Sequence, residues 1–256
     1  MPILQRQDIQ IHYTEHGQGP PILLLHAGWG LAVNGFAYQE SALADTFHMI
    51  IPDRRGYGRS TRVEKLAADF HWQAAQDMLD LLDALQIQET YIWGHSDGAV
   101  IGAITAIAAP PRVRGLIFEG GHLYCRKPLS RSIFEQLGSD PTLLPLPAQK
   151  RMLAYHGQGW QQVIRNWAGA WLDLWELEGD LYRGRLGEIQ CPVLVMHGGQ
   201  DEHTTVAEMQ ELTRRIPNAH LSVYHTAGHC VHDGHSTRDA CTQEARNFFL
   251  SASAAH

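Results

Sequence analysis

The stretch YIWGHSDGAVIGAITAI, residues 91–107, decides how the rest of the chain is read. A short apolar run, Tyr91 to Trp93, is followed by Gly94-His95-Ser96-Asp97-Gly98 and then by a small-residue apolar segment, Ala99 to Ala109, that stops at Pro110-Pro111. Strand, tight turn with a glycine two positions either side of a serine, then helix is the pattern of a nucleophile elbow. A serine at such a corner needs a strained backbone and close strand–helix approach, which only small neighbours allow. Its hydroxyl then stands exposed, and N–H groups at the start of the helix face the place where an oxyanion would form. Five residues are a short motif, and a glycine-flanked turn with a helix-capping serine would be spelled the same way.

The flanking sequence supports the elbow. Residues 3–15 alternate weakly through Ile9, Ile11 and Tyr13, which predicts a short antiparallel strand or hairpin. Pro21 to Leu25 is a continuous apolar run, the mark of a strand buried on both faces, and it leads into His26-Ala27-Gly28-Trp29-Gly30. A helical segment over Phe36–Asp45 and a strand over Phe47–Ile51 precede the loop Asp53 to Ser60, in which Asp53 and Arg55 are expected to pin backbone near the elbow. Phe70, Ala74, Met78, Leu81, Leu82 and Leu85 fall at helical spacing with Asp77, Asp80 and Asp83 between them, as in an amphipathic crossover helix. Val113–Phe118 reads as another strand, closed by Glu119-Gly120-Gly121.

After residue 121 the strands stop. Four tryptophans, Trp160, Trp167, Trp171 and Trp175, share one broad helical stripe. They read as the core of an insert, with one or two lining an apolar pocket under it. Strand–helix alternation resumes with Pro192–Met196, a helix over Val206–Ile216, a strand over His220–Tyr224 and a helix over Arg238–Leu250. The expected class is therefore α/β, a doubly wound and mostly parallel sheet with a helical cap inserted after the sixth strand. Residues 1–121 and 186–256 would form the core, and residues 122–185 the cap.

Composition narrows the possible roles. With 44% hydrophobic and 18% charged residues, 256 residues can bury a substantial core. A net charge of −7 and the lack of any basic run argue against nucleic acid. Residues 1–6 lack the apolar centre of a signal peptide, and no apolar stretch approaches membrane-span length, so a cytoplasmic protein without a membrane partner is expected. The four cysteines show no C-x-x-C spacing and read as reduced thiols. Seven of the 16 histidines lie between His197 and His235, but without paired metal-ligand spacing they read as a solvated loop. No cofactor and no metal are expected.

In a parallel sheet, functional groups gather beyond the carboxyl ends of the strands. Ser96, Asp201 and His229 occupy three such ends. A serine hydroxyl needs a base, and a histidine base needs a carboxylate to fix its tautomer. The chain order Ser, Asp, His is the one expected for a triad built on a serine elbow. Taken singly, Asp201 could be a turn-capping carboxylate and His229 a surface histidine. Glu119 is a substitute acid, and His225, His232 and His235 are weaker candidates for the base. The oxyanion hole should take one N–H from Asp97 and one from the 26–30 loop, for which Gly28 is the choice, with the Trp29 ring walling the pocket.

Together these residues resemble the α/β-hydrolase superfamily over essentially the whole chain. Ser96-Asp97-Gly98, the tryptophan-rich end of the insert and Cys191-Pro192-Val193-Leu194-Val195-Met196-His197-Gly198 look like the valacyclovir-hydrolase-like esterases. A serine at the nucleophile position is unlike the aspartate of dehalogenases and epoxide hydrolases. His26-Ala27 stands where relatives often have His-Gly, which leaves open which amide of that loop donates. The resemblance implies a serine hydrolase of small carboxylic esters acting through an acyl-enzyme, with lactonase, thioesterase or amidase chemistry and a non-enzymatic ligand receptor as alternatives. It also implies that the Asp97 carboxylate helps hold a substrate ammonium group, which would favour α-amino acyl esters. Trp167 and Trp171 are the expected pocket residues of the insert.

Overall fold

A computed structural model describes residues 3–6, 9–30 and 35–254. The strands are β1 (Ile3–Arg6), β2 (Ile9–His16), β3 (Pro21–Leu25), β4 (His48–Pro52), β5 (Thr90–His95), β6 (Val113–Glu119), β7 (Val193–Gly198) and β8 (Ala219–Tyr224). They form one sheet in the order β1-β2-β4-β3-β5-β6-β7-β8. The hairpin expected at the start forms, with Ile3 opposite His12 and Arg6 opposite Ile9, and β2 runs antiparallel to β4. From β4 to β8 every pairing is parallel.

Continuous apolar runs make these central strands because both faces are covered. Leu23 and Leu25 enter one core cluster, while Ile22 and Leu24, pointing the other way, enter a second. Helices α2 (Phe70–Ala84) and α3 (Asp97–Ala108) bury Met78, Leu81, Val100 and Ile104 in the first. Helix α1 (Ala37–Leu43) and helix α8 (Arg238–Ala254) bury Leu43, Ala245 and Phe249 in the second. Helix α7 (Val206–Arg215) adds Met209 and Leu212 to the first cluster. One aspartate departs from the amphipathic pattern of α2. Asp77 is buried, and the Arg55 guanidinium reaches both of its carboxylate oxygens at 2.5 Å.

Between β6 and β7 lie α4 (Arg131–Ser139), α5 (Leu146–His156) and α6 (Trp160–Trp175). Phe134 of α4 stacks on Trp171 of α6 with ring centroids 5.4 Å apart and meets Trp167 edge-on. Trp160, Trp167 and Trp171 are buried, whereas Trp175 carries the Arg131 guanidinium over its ring at 4.6 Å. The tryptophan stripe is thus packing first. Part of it also faces a cavity.

Candidate active site

The turn from β5 into α3 has the strained geometry anticipated from its glycines. Ser96 sits at φ 56°, ψ −119°, a region that non-glycine residues rarely occupy. A Cβ on Gly94 would run into the Gly98 carbonyl, and one on Gly98 into the Leu25 carbonyl, so both positions require glycine. The Ser96 N–H is tied to the Glu119 carbonyl at 2.8 Å, which anchors the corner to β6.

Asp201 follows β7 and His229 follows β8. Their side chains meet, with His229 Nδ1 2.9 Å from Asp201 Oδ2. Oδ1 of Asp201 accepts the N–H groups of His203 at 2.7 Å and Thr204 at 3.2 Å. Burial alone would raise the Asp201 carboxyl, but the His229 hydrogen bond and charge and the His203 amide outweigh it and hold it at about 2. Burial is also the largest influence on His229 and lowers it to about 4, against the pull of Asp201. At neutral pH the pair is a carboxylate beside a neutral imidazole whose Nδ1–H is donated, leaving the Nε2 lone pair available.

Ser96 and His229 line one cavity of about 340 Å³, together with Gly28, Trp29, Trp167 and Trp171. A second cavity of about 420 Å³, lined by Trp72, Cys125 and Asp180, includes none of Ser96, Asp201 and His229. Within the first, Ser96 Oγ does not hydrogen-bond His229. Among the described residues its partner is His122 Nε2, at 3.3 Å. The His122 and His229 rings face each other at 15° with centroids 6.1 Å apart. His122 carried no mark in the sequence beyond its place just after Glu119-Gly120-Gly121, at the carboxyl end of β6, where such a sheet collects functional groups.

Two other unmarked residues shape the 26–30 loop. The buried Arg54 donates through Nη2 to the Ala27 carbonyl at 2.8 Å. His156 of α5 bridges loop to loop, with Nδ1 accepting the Gly58 N–H and Nε2 reaching the Trp29 carbonyl, each at 2.9 Å. Burial lowers His156 to about 4, so it is neutral and can play both parts. Gly28 packs so tightly on the Trp167 indole that a side chain there would overlap the ring. Among the described residues no carbonyl accepts the N–H of Gly28 or of Asp97.

The Asp97 side chain corrects the expectation placed on it. Its carboxylate is 1% exposed and accepts His71 Nε2 on Oδ1 and Trp167 Nε1 on Oδ2, each at 3.0 Å. Asp97 is not part of the cavity lining. With both oxygens engaged inside the protein, it ties α2 and α6 to the elbow. The substitute acid Glu119 is likewise committed. It accepts the Trp93 indole N–H, the amides of Val231 and His232 and the His232 ring at 2.7–3.0 Å, thereby fixing the loop that carries His229. Asp53 holds loop backbone, with Oδ2 accepting the Arg59 N–H at 3.0 Å, whereas Arg55, expected to pin backbone as well, pairs with the Asp77 carboxylate of α2. Among the described residues, no three His, Cys, Asp or Glu side chains are grouped to hold a metal ion. None of the described helices is long and apolar enough to cross a membrane.

Comparison with known proteins agrees with this architecture. A family model described as "alpha/beta hydrolase fold" matches residues 20–130 and 122–236. The serine hydrolase BPHL of Mus musculus is 28% identical over 229 residues, 88% of this chain and 78% of its own. Among solved structures, Est816, described as an N-acyl homoserine lactone degrading enzyme, superposes with a TM-score of 0.76 at 26% identity over 96% of this chain and all of its own. A thermophilic esterase from Thermogutta terrifontis superposes with a TM-score of 0.73 at 23% identity over 95% of this chain and 94% of its own. With a sheet of this order, a strained serine at the β5–α3 turn and a family match over most of its length, the chain belongs to the α/β-hydrolase family.

Proposed function

We propose that the protein is a serine hydrolase that cleaves small carboxylic esters through an acyl-enzyme on Ser96. The observation that carries this reading is the Asp201–His229 hydrogen bond of 2.9 Å in the cavity that also holds the strained Ser96. With Nδ1–H given to Asp201, His229 offers Nε2 as the base. Serine–histidine bonds are often long without substrate and tighten in the Michaelis complex, so Oγ need only shift toward His229. His229 takes the hydroxyl proton as Oγ attacks the acyl carbon. The N–H groups of Gly28 and Asp97 receive the carbonyl oxygen as it gains charge. Collapse expels the alcohol, protonated by His229, and a water repeats the sequence to free the acid.

The apolar wall made by Phe134, Trp167 and Trp171 suits a compact acyl or alkyl group, with the helices after β6 acting as a cap over residues 122–185. Likeness to Est816 supports lactones, which are internal esters, as a second substrate class. The experiment is turnover of short-chain p-nitrophenyl esters and of lactones by wild type and Ser96→Ala, with fluorophosphonate labelling alongside. Labelling that disappears together with turnover in Ser96→Ala is expected. A Ser96→Ala variant with full turnover would refute the mechanism.

A further inference from the structure

Beside Ser96 stands a second imidazole, and its surroundings determine which of its nitrogens carries the proton. His122 Nδ1 lies 2.8 Å from Thr204 Oγ1, and His122 Nε2 lies 3.3 Å from Ser96 Oγ. Thr204 Oγ1 also receives the Lys127 ammonium at 3.1 Å. Lysine can only donate, so the threonine hydroxyl proton must go elsewhere. Among the described residues the one acceptor within its reach is His122 Nδ1. Lys127 has no freedom to reverse this polarity. It is buried, and its other contacts are both oxygens of Glu208, at 2.8 and 2.9 Å, whose Oε1 also accepts the Leu123 N–H. The arrangement that gives every one of these buried donors an acceptor runs Lys127 to Thr204 to His122 to Ser96, with His122 presenting Nε2–H to the serine oxygen, since the reverse tautomer would leave the Thr204 hydroxyl without an acceptor.

From this we infer that His122 is a further catalytic residue, a fixed hydrogen-bond donor to Ser96 Oγ. The role rests on the serine-hydrolase reading and refines it. His122 and His229 face each other in the cavity that holds Ser96 with opposite polarity, because one has its lone pair committed at Nδ1 and the other has its lone pair free at Nε2. His122 cannot take the serine proton. By occupying a lone pair of Oγ it leaves that proton free to turn to His229. It also stabilises negative charge on Oγ twice, as the hydroxyl is deprotonated for attack and as Oγ departs from the acyl group in deacylation. No proton leaves His122 in either step.

The test combines three variants with one spectrum. Replacing His122 by Phe removes the donor, and the rate of fluorophosphonate labelling and kcat should each fall roughly ten- to a hundredfold, the usual range for a hydrogen bond to a charged group. His122→Gln, whose amide can donate from a similar place, should recover part of that loss. Thr204→Val removes the hydroxyl that sets the tautomer and should fall in the same direction as His122→Phe with KM little changed. Nitrogen-15 spectra of the wild-type His122 ring should show the proton on Nε2. A His122→Phe enzyme labelled and turning over at the wild-type rate would overturn the inference, as would a proton on Nδ1. Should His122→Phe not fold, Thr204→Val and the spectrum decide. A wild type that fluorophosphonate does not label would remove the serine-hydrolase reading itself, whereas a labelled wild type with an unaffected His122→Phe would remove only the role of His122.

Discussion

Asp97, the residue after the nucleophile, is locked 3.0 Å from His71 in a pair from which water is excluded. Burial lowers His71, leaving it neutral, while the His71 contact and the Trp167 indole keep Asp97 ionised against its own burial. Asp97 is therefore a clamp between α2, α6 and the elbow.

The first prediction follows from that clamp. Asp97→Ala orphans two buried donors, the His71 ring and the Trp167 indole, each at about 1–3 kcal/mol. Denaturant unfolding should show a loss of several kcal/mol. Hydrolysis of amino-acyl esters and of simple acyl esters should fall by the same factor. A selective loss on amino-acyl esters would restore the ammonium-binding role.

The base should titrate low. His229 must be neutral to accept a proton, and burial places it at about 4. The acidic limb of kcat/KM should therefore lie near pH 4, well below the 6.5 of a free imidazole, and activity should be level from about pH 5.5 upward. Asp201 raises the His229 value, so Asp201→Asn should move the limb further down and reduce kcat by roughly 10⁴. Steady-state rates across pH 3.5–8 check both, and a limb at 6.5 would contradict the buried setting of His229.

Acid should also weaken the fold over a defined window. His156 and His229 are both lowered to about 4, so the unfolded chain binds their protons first as pH falls below 6.5. Their contribution to stability is complete above 6.5 and is lost as pH drops toward 4. Thermal unfolding between pH 7.5 and 4 should show a falling Tm. His156→Gln should flatten that slope while lowering the Tm at pH 7.5.

Two glycines should respond oppositely to alanine. At Gly98 the added methyl meets the Leu25 carbonyl, which belongs to a central strand and cannot yield, so Gly98→Ala should abolish soluble expression or cost several kcal/mol. Gly169, inside α6, has open space around the same position. Gly169→Ala should stabilise by about 0.5–1 kcal/mol through helix propensity. Chemical denaturation of the two variants separates the cases.

Much of the architecture was legible before any coordinates. Pro21–Leu25 and Tyr91–Trp93 advertise two-faced strands because a buried parallel sheet has no polar side, and Gly94 and Gly98 advertise the elbow because nothing larger fits. Asp201 and His229 were placed by the ends of their strands. Less visible were residues whose importance is a matter of contact. Asp77 sits on what pattern alone makes a solvent face of α2, yet Arg55 reaches it from another loop. His71, Arg54 and His156 belong to helices or loops that carry no motif, and each acts on a residue 26 to 127 positions away.

Sequence alone determined the succession of strands and helices and the corner at Ser96, and it set Asp201 and His229 at strand ends, because periodicity and steric exclusion by glycine are local properties of a chain. Tertiary structure decided where Asp97 points and that His122 lies between Thr204 and Ser96. Those outcomes depend on which donors and acceptors are left over once distant segments pack together, and Lys127, Thr204 and His71 reach their partners only across the folded interior.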